Sequence, residues 1–519
     1  MSRKDRTPSV TPSSNGPTPS ASTATLVSNP EELAEKELIE EYLAQHGLET
    51  SLNVFINQVV RDRPSDPYLV LAGLLQNRAT SGNGIFSISA REVIDANGLP
   101  TLQASVHTSK GRFDGATSAA TAAIYDTDEV TRFRGKGVRA RDLALYVQHL
   151  LEGVDPCEQA SCDEKVASME EKIGRQACLA LSIAICKAGA MHNDVPLFEY
   201  IATLADVPIE SACIPVPIFS LLHGGTFGSN KMYIQEITAQ PMGCLSFQEA
   251  LRWGCELQLV LKDLLDAKGM GYSNRGVFGG YVPLVNTTDE ALVLMAEAVK
   301  KLHETLQPTD MTIGVGVHVA AHAFATPSDG DCVYNLDKWI PGSKGLNKSG
   351  DDLLEITREW VRQHNLKSIV DPFDARDVKI AGALTRAENE VAGIGDTIGG
   401  DPTVKLQVVG HAMLRLGLET LHEERAVNTV LLHLSEFSSI TAVLKAVTQA
   451  RVLGLSIIVG CDAGTPDDTF VVDFAIGIGC GQVKFGGLLA ADAVARYNRL
   501  AGFLEDPRAP PYSGATFRR

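Results

Sequence analysis

From residue 235 onward, polar residues stand at or just past short apolar runs at seven places: Gln235-Glu236, His318, Asp371, His411, His433, Cys461-Asp462 and Lys484. Neutral imidazole and thiolate are ligands for Zn²⁺ or another late first-row ion, which makes His318, His411, His433 and Cys461 a candidate metal set. Lys484 and Glu236 supply groups that transfer protons. The competing reading is that the histidines hydrogen-bond one another in a wet cleft without chemistry. A different kind of signal is the loop Asn274-Arg-Gly-Val-Phe-Gly-Gly-Tyr-Val-Pro283, where glycines 276, 279 and 280 frame Val277 and Phe278, two residues that cannot handle a proton.

Elements with strand character must position these groups: 214–222, 234–239, 312–319, 367–369, 405–409, 429–434, 455–459 and 481–485. Between several of them lie segments of helical period, 247–267, 289–304 and 438–453. Strands alternating with helices over this length predict a closed β/α barrel, whose functional groups project from the C-terminal ends of its strands. The alternating segments 85–93 and 102–108, followed by helical sequence to about Ala205, predict an α+β cap in front of the barrel. The fold class is α/β. We expect a cap domain over 84–205, a barrel over 206–506 and a C-terminal tail over 507–519.

Upstream the texture differs. Seventeen of the first 30 residues are Ser, Thr or Pro, too few of them apolar to offset the entropy of ordering, so 1–30 reads as a disordered tail. A transit peptide is the rival, favoured by Arg3, Lys4 and Arg6 and opposed by the prolines. Residues 31–80 form a helical module. An acidic start at Glu31–Leu38 suits a helix N-terminus, Gly47 breaks the pattern, and Leu48, Leu52, Phe55 or Ile56, and Val59 recur until Arg63-Pro64-Ser65-Asp66-Pro67 stops it. A further helix carries Leu69, Val70, Leu71, Leu74 and Leu75. Such short amphipathic helices cannot bury their apolar faces alone, so they dimerise or pack on the main body.

The chain has 519 residues, 44% of them apolar, and a formal net charge of −17. That acidity argues against nucleic-acid or anionic-membrane partners. With no apolar run of spanning length and no signal-peptide pattern, the expected location is cytoplasmic. The ten cysteines show no paired CxxC spacing and read as reduced, structural thiols.

Several stretches between about Gly84 and Leu504 resemble the enolase family. They are REVIDANGLPTLQASV from Arg91, GKGV at Gly135–Val138, NDVPLFEYIATLA from Asn193, PVPIFSLLHGGTFGSNKMYIQE from Pro215, SIVDPF from Ser368 and DDTFVVDFAIGIGCGQVKFG from Asp467. The resemblance implies the family's barrel, in which one early strand runs antiparallel to the rest, and Mg²⁺-dependent dehydration of 2-phosphoglycerate to phosphoenolpyruvate. It also implies a role for each matching position. The three metal carboxylates fall on His318, Val370 and His411, the general base on His433 and the general acid on Phe278. Glu236 and Lys484 match further catalytic positions, and Gln235 and Lys484 match substrate-contacting ones. The phosphate-binding arginine becomes Asp462, a further imidazole becomes Phe227, and the mobile lid becomes Ser118–Ala123, where Thr121 retains the hydroxyl for a second metal.

Mg²⁺ is therefore expected only from the resemblance, since two imidazoles and an isopropyl group do not replace three hard oxygen ligands. Sequence reading finds no replacement carboxylates nearby. Zn²⁺ at His318, His411 and His433 is the alternative. The run YLAQHGLETSLNVFINQVVRDRPSDPYLVLAGLL resembles the two-helix dimerisation and docking module of cyclic-AMP-dependent kinase regulatory subunits and related ciliary proteins. It implies a homodimer, an amphipathic-helix protein partner bound through 31–80, and a place in the cilium or flagellum. The leading expectation is a pseudoenzyme acting as a structural or docking subunit. The alternatives are phosphopyruvate hydratase activity through a rearranged site, or a Zn²⁺-type metalloenzyme.

Overall fold

The computed structural model describes residues 39–78, 84–118, 142–306, 311–328, 331–389, 406–466 and 468–518. The expected tail 1–30, the acidic helix start at 31–38 and Thr121 with the rest of the expected lid beyond Ser118 lie outside the described residues. The chain divides into two units, Met1–Thr80 and Ser81–Arg519.

In the first unit, helical residues 39–46 meet the helix Leu48–Asp62 at Gly47, whose φ of 57° is a left-handed conformation that glycine adopts without strain. The carboxylate of Asp66 accepts the amides of Tyr68 and Leu69 at 3.0 Å each and so starts the helix Pro67–Arg78. Ile39, Tyr42, Leu52, Val54, Ile56, Val60, Tyr68 and Leu69 are all exposed.

The second unit begins with an antiparallel meander of β1 (Ser87–Ile94), β2 (Pro100–Thr108) and β3 (Gly111–Ala116). Sequence reading found the first two strands and missed the third, whose GRFDGA sequence has no apolar alternation. Helix Arg175–His192 is apolar on nearly every side and is buried from two directions. Ala177, Leu181 and Ile185 pack with Leu102, Val106, Leu143 and Val147 of the cap, while Leu179, Ile183 and Cys186 join the core around the barrel. Ser182 Oγ accepts the Ile440 amide at 2.9 Å and Lys187 bonds Asp468 at 2.9 Å, so polar contacts also tie this helix to the barrel.

The barrel strands are β4 (Val216–His223), β5 (Glu236–Met242) and β6 (Thr312–His318). A small sheet of β7 (Ala325–Ser328), β8 (Asp331–Asn335) and β9 (Asn347–Lys348) follows. The barrel then resumes with β10 (Ser368–Val370), β11 (Gln407–Gly410), β12 (Thr429–His433), β13 (Ser456–Gly460) and β14 (Gln482–Gly486). It closes in the order β10-β11-β12-β13-β14-β4-β5-β6. β5 is antiparallel to both neighbours and every other adjacent pair is parallel, as the enolase resemblance implies. All eight expected barrel strands are present, with ends displaced by up to three residues.

Ile218, Val370, Val409, Leu431 and Ile458 fill the barrel interior, and Gln407 and Gln482 exchange amide hydrogen bonds at 2.7 and 3.2 Å further toward the strands' N-terminal ends. Residues 507–518 of the expected tail pack against the rest of this unit. Ile214 donates its amide to Pro511 and accepts that of Ser513, each at 2.9 Å, and Phe517 is buried. Among the described residues no helix is long and apolar enough to cross a membrane.

Candidate functional site

Alternation along a strand carries every second side chain to the same face, so the residues lining the barrel interior also dictate what emerges at its mouth. On β11 the series Gln407, Val409 continues to His411. On β12, Thr429 and Leu431 lead to His433, and on β14, Gln482 leads to Lys484. Register then sets neighbours. Glu236 pairs with His318 and His318 with Val370, while His433 pairs with Gly460 and Gly460 with Lys484. A Cβ on Gly460 would lie 2.4 Å from His433 Nε2, so glycine is what leaves room for that ring.

Two of the seven polar places sit differently from the expectation. Gln235-Glu236 opens its strand rather than ending it. Because β5 runs backward, its start shares a rim with the C-terminal ends of the others. Lys484 lies within β14, two residues before the strand's end. Its Nζ donates to Glu236 Oε1 at 2.8 Å, and both side chains are buried. Glu236 also accepts from Ser220 Oγ and faces His318 Nδ1 at 3.3 Å. Burial opposes ionisation of Glu236, yet Lys484 and the His318 contact hold its carboxyl well below the usual range.

Gln235 turns away from this pair, its Oε1 accepting the Thr226 amide at 2.8 Å and hydroxyl at 2.6 Å. Asp371, at a left-handed φ of 44°, accepts the amides of His411 and Ala412 at 2.8 Å each and that of Met413 at 3.4 Å. It shapes the loop after β11, with His318 Nε2 3.8 Å and His411 Nδ1 4.0 Å from its Oδ2.

His411 and His433 face each other with ring centroids 4.3 Å apart, tilted by 41°. His433 Nδ1 lies 2.9 Å from Asp462 Oδ1, and Ser435 Oγ donates to the other oxygen of that carboxylate. Although burial pushes the Asp462 carboxyl up, its bond to His433 and the neighbouring imidazole charge hold it down to about 2. Burial and the adjacent His411 lower the His433 imidazole. For His411 burial is outweighed by Glu436, whose Oε1 is 2.7 Å from Nε2, and the imidazole is raised to about 9.

Glu436 corrects the expectation that no replacement carboxylate is nearby. It sits on the single helical turn Leu434–Glu436 after β12, which brings it round beside His411. The spacing His433-x-x-Glu436 was a usable signal, because one tight turn places residues three apart on one side. Cys461 is corrected in the opposite sense. One residue past inward-facing Gly460, it takes the outward parity and packs in the core around the barrel. Burial pushes its thiol up to about 12. Among the described residues, the groups able to hold an ion are His318 with Asp371 and His411, and His411 with His433 and Glu436, neither including Cys461.

The glycine-framed loop closes the other side of the mouth with rings. Phe278 meets Phe227 edge-on at 4.8 Å, and its face lies 5.5 Å from Lys484 Nζ. Gly276 is required because a Cβ there would lie 2.1 Å from His223 Nδ1. His223, fully buried between these aromatics, has no hydrogen-bonding partner for either ring nitrogen among the described residues, a feature the sequence did not suggest.

Comparison with known proteins fits this architecture. The family model for the enolase C-terminal TIM barrel domain matches residues 211–519, and that for the enolase N-terminal domain matches 85–201. The chain belongs to the enolase family. It is 31% identical over 460 residues to an enolase of Solanum lycopersicum and 32% identical over 457 residues to one of Eimeria tenella, in each case covering 84% of this chain and 98% of the relative. It is also 29% identical over 486 residues to a cytosolic enolase 3 of Arabidopsis thaliana, covering 90% of this chain and 96% of that protein.

The donor set of this enolase-family chain does not suit Mg²⁺, the family's usual ion. At the three positions assigned by resemblance, Val370 is part of the apolar interior, and His318 and His411 offer imidazole nitrogen where a hard cation needs oxygen. Of the carboxylates close by, Glu236 is committed to Lys484 and Ser220 and Asp371 to three backbone amides, which leaves Glu436 beside His411.

Proposed function

We propose that this enolase-family chain has lost phosphopyruvate hydratase activity and serves as a structural or docking subunit. The observation that carries the reading is Phe278. Where the resemblance calls for a general acid, a phenyl ring lies against Lys484. The surrounding charges support it. Asp462 stands where a phosphate would meet an arginine, and a desolvated carboxylate repels such a dianion. A nearby cleft between cap and barrel is lined by Asp462, by Asp468 paired with Lys187, and by apolar Leu179, Ile183, Phe470 and Val471. Removing a positioned acid alone costs about 10²–10⁴ in rate, before metal and phosphate contacts are counted. Pure protein assayed on 2-phosphoglycerate with Mg²⁺ should therefore turn over at least about 10⁴-fold more slowly than an ordinary enolase. A rate within about a hundredfold of ordinary would overturn the proposal.

For the docking role, the exposed apolar residues of the N-terminal helices supply the contact surface. Its first occupant is the same surface on a second copy, giving a homodimer, and the paired helices then receive an amphipathic helix of a partner protein. The associated location is the cilium or flagellum. A tagged chain with and without residues 31–80 tests this in ciliated cells. Ciliary enrichment should depend on the segment, and equal distribution of both forms would exclude it as the targeting element.

A further inference from the structure

We infer that His411, His433 and Glu436 form a binding site for a late first-row divalent ion, Zn²⁺ in the first place. It shares His411 with the family's magnesium position and takes His433 and Glu436 as its other ligands.

The ligating atoms of these three residues lie within 4.8 Å of one another and are largely withdrawn from solvent. The two imidazoles are already oriented by other groups. Asp462 faces His433 Nδ1 at 2.9 Å, which keeps the proton on that nitrogen and leaves the lone pair on Nε2. That Nε2 is buried, in the room Gly460 leaves for the ring, and has no hydrogen-bonding partner among the described residues. A metal-binding histidine typically has this arrangement, with its second nitrogen held by a carboxylate. His411 repeats it more loosely, Nδ1 toward Asp371 at 4.0 Å and Nε2 toward Glu436. Glu436 Oε1 is only 2.7 Å from Nε2, so a nitrogen and an oxygen able to ligate already lie side by side.

Charge points the same way. Glu236, Asp371, Glu436 and Asp462 surround the mouth, and Lys484 neutralises only Glu236. Without metal a proton on His411 offsets Glu436, and a dication between His411, His433 and Glu436 displaces that proton and compensates more of the charge. Two nitrogens and one carboxylate oxygen suit Zn²⁺ and leave a coordination position open. The alternative trio of His318, Asp371 and His411 is weaker, because backbone amides already occupy both oxygens of Asp371. The sequence-level set of His318, His411 and His433 thus exchanges His318 for Glu436.

The full chain, stripped with a chelating resin, is titrated with Zn²⁺ by calorimetry and with Co²⁺ by its visible absorption. About one ion per chain is expected, with tetrahedral-type Co²⁺ bands. Glu436→Gln and His433→Gln should each weaken binding at least about 100-fold, and Asp462→Asn about 10- to 100-fold. His318→Gln and Cys461→Ser should leave it within about threefold of the parent chain. Because Glu436→Gln keeps the side chain's shape, loss of the Zn²⁺-induced rise in Tm in that variant, with unchanged circular dichroism, separates lost ligation from misfolding. Absence of stoichiometric binding overturns the site, as does binding indifferent to Glu436→Gln and His433→Gln. Equal loss in His318→Gln overturns it too, since that places the ion in the other trio. The 2-phosphoglycerate assay bears on none of these outcomes.

Discussion

Lys484 Nζ and Glu236 Oε1 meet at 2.8 Å inside the barrel, and the Phe278 ring lies 5.5 Å from the same ammonium. A buried pair of this kind adds little net stability, but breaking it strands a charge. Lys484→Met and Glu236→Gln should each cost about 3–5 kcal/mol, and the double variant at least about 1.5 kcal/mol less than their sum. Urea unfolding of the four proteins measures the cycle, and strict additivity would show that the two groups do not sense each other.

Restoring one group should not restore the chemistry. Phe278→Glu returns a carboxylate to the loop, where it meets Lys484 and the buried His223. Without oxygen ligands at 318, 370 and 411 or a cation at 462, its rate on 2-phosphoglycerate with Mg²⁺ should stay within about tenfold of the parent chain. A gain of about a thousandfold would mean that Phe278 alone blocks the reaction.

Burial lowers the His223 imidazole to about 4, with Glu236 opposing the shift. A base whose folded value lies below its unfolded value, near 6.5, takes up its proton first in the unfolded chain. Stability from this group is complete above about pH 6.5 and is lost as pH falls toward 4. His223→Leu should therefore shrink the difference in unfolding free energy between pH 7 and pH 5 by about 2 kcal/mol. An unchanged difference in denaturant titrations at the two pH values would rule out His223 as its source.

Leu52 and Ile56 stand one helical turn apart on Leu48–Asp62, and both are exposed. If the N-terminal helices join two copies, Leu52→Asp with Ile56→Asp in the full chain should shift the mass measured by light scattering from dimer toward monomer. The unfolding midpoint of Ser81–Arg519 should be unaffected. Retention of the dimer would assign dimerisation to another surface.

Much of the fold was legible because it rests on local patterns. The apolar runs of β10 to β14 are short and bounded by polar residues, and helix Phe247–Ala267 matched its sequence-derived limits. β3 was missed because Gly111-Arg-Phe-Asp-Gly-Ala116 owes its pairing to β2 and to close passage of Gly115 beside Ala180, both long-range contacts. The site divides along the same line. His318, His411 and His433 could be placed by strand periodicity. Cys461 could not, since a one-residue step past the strand end reverses the face it occupies. Glu436 reaches His411 only through the turn after β12, and Asp371 spends its carboxylate on a neighbouring loop, which side-chain chemistry alone does not disclose.

Val370 bears on more than a missing ligand. With Ile218, Val409, Leu431 and Ile458 it extends the apolar fill of the barrel to the level where the family's magnesium would sit, and so raises the boundary between dry interior and polar mouth. An ion entering from the rim then meets hydrocarbon earlier, and its charge is best compensated one step outward, at the height of the turn that carries Glu436.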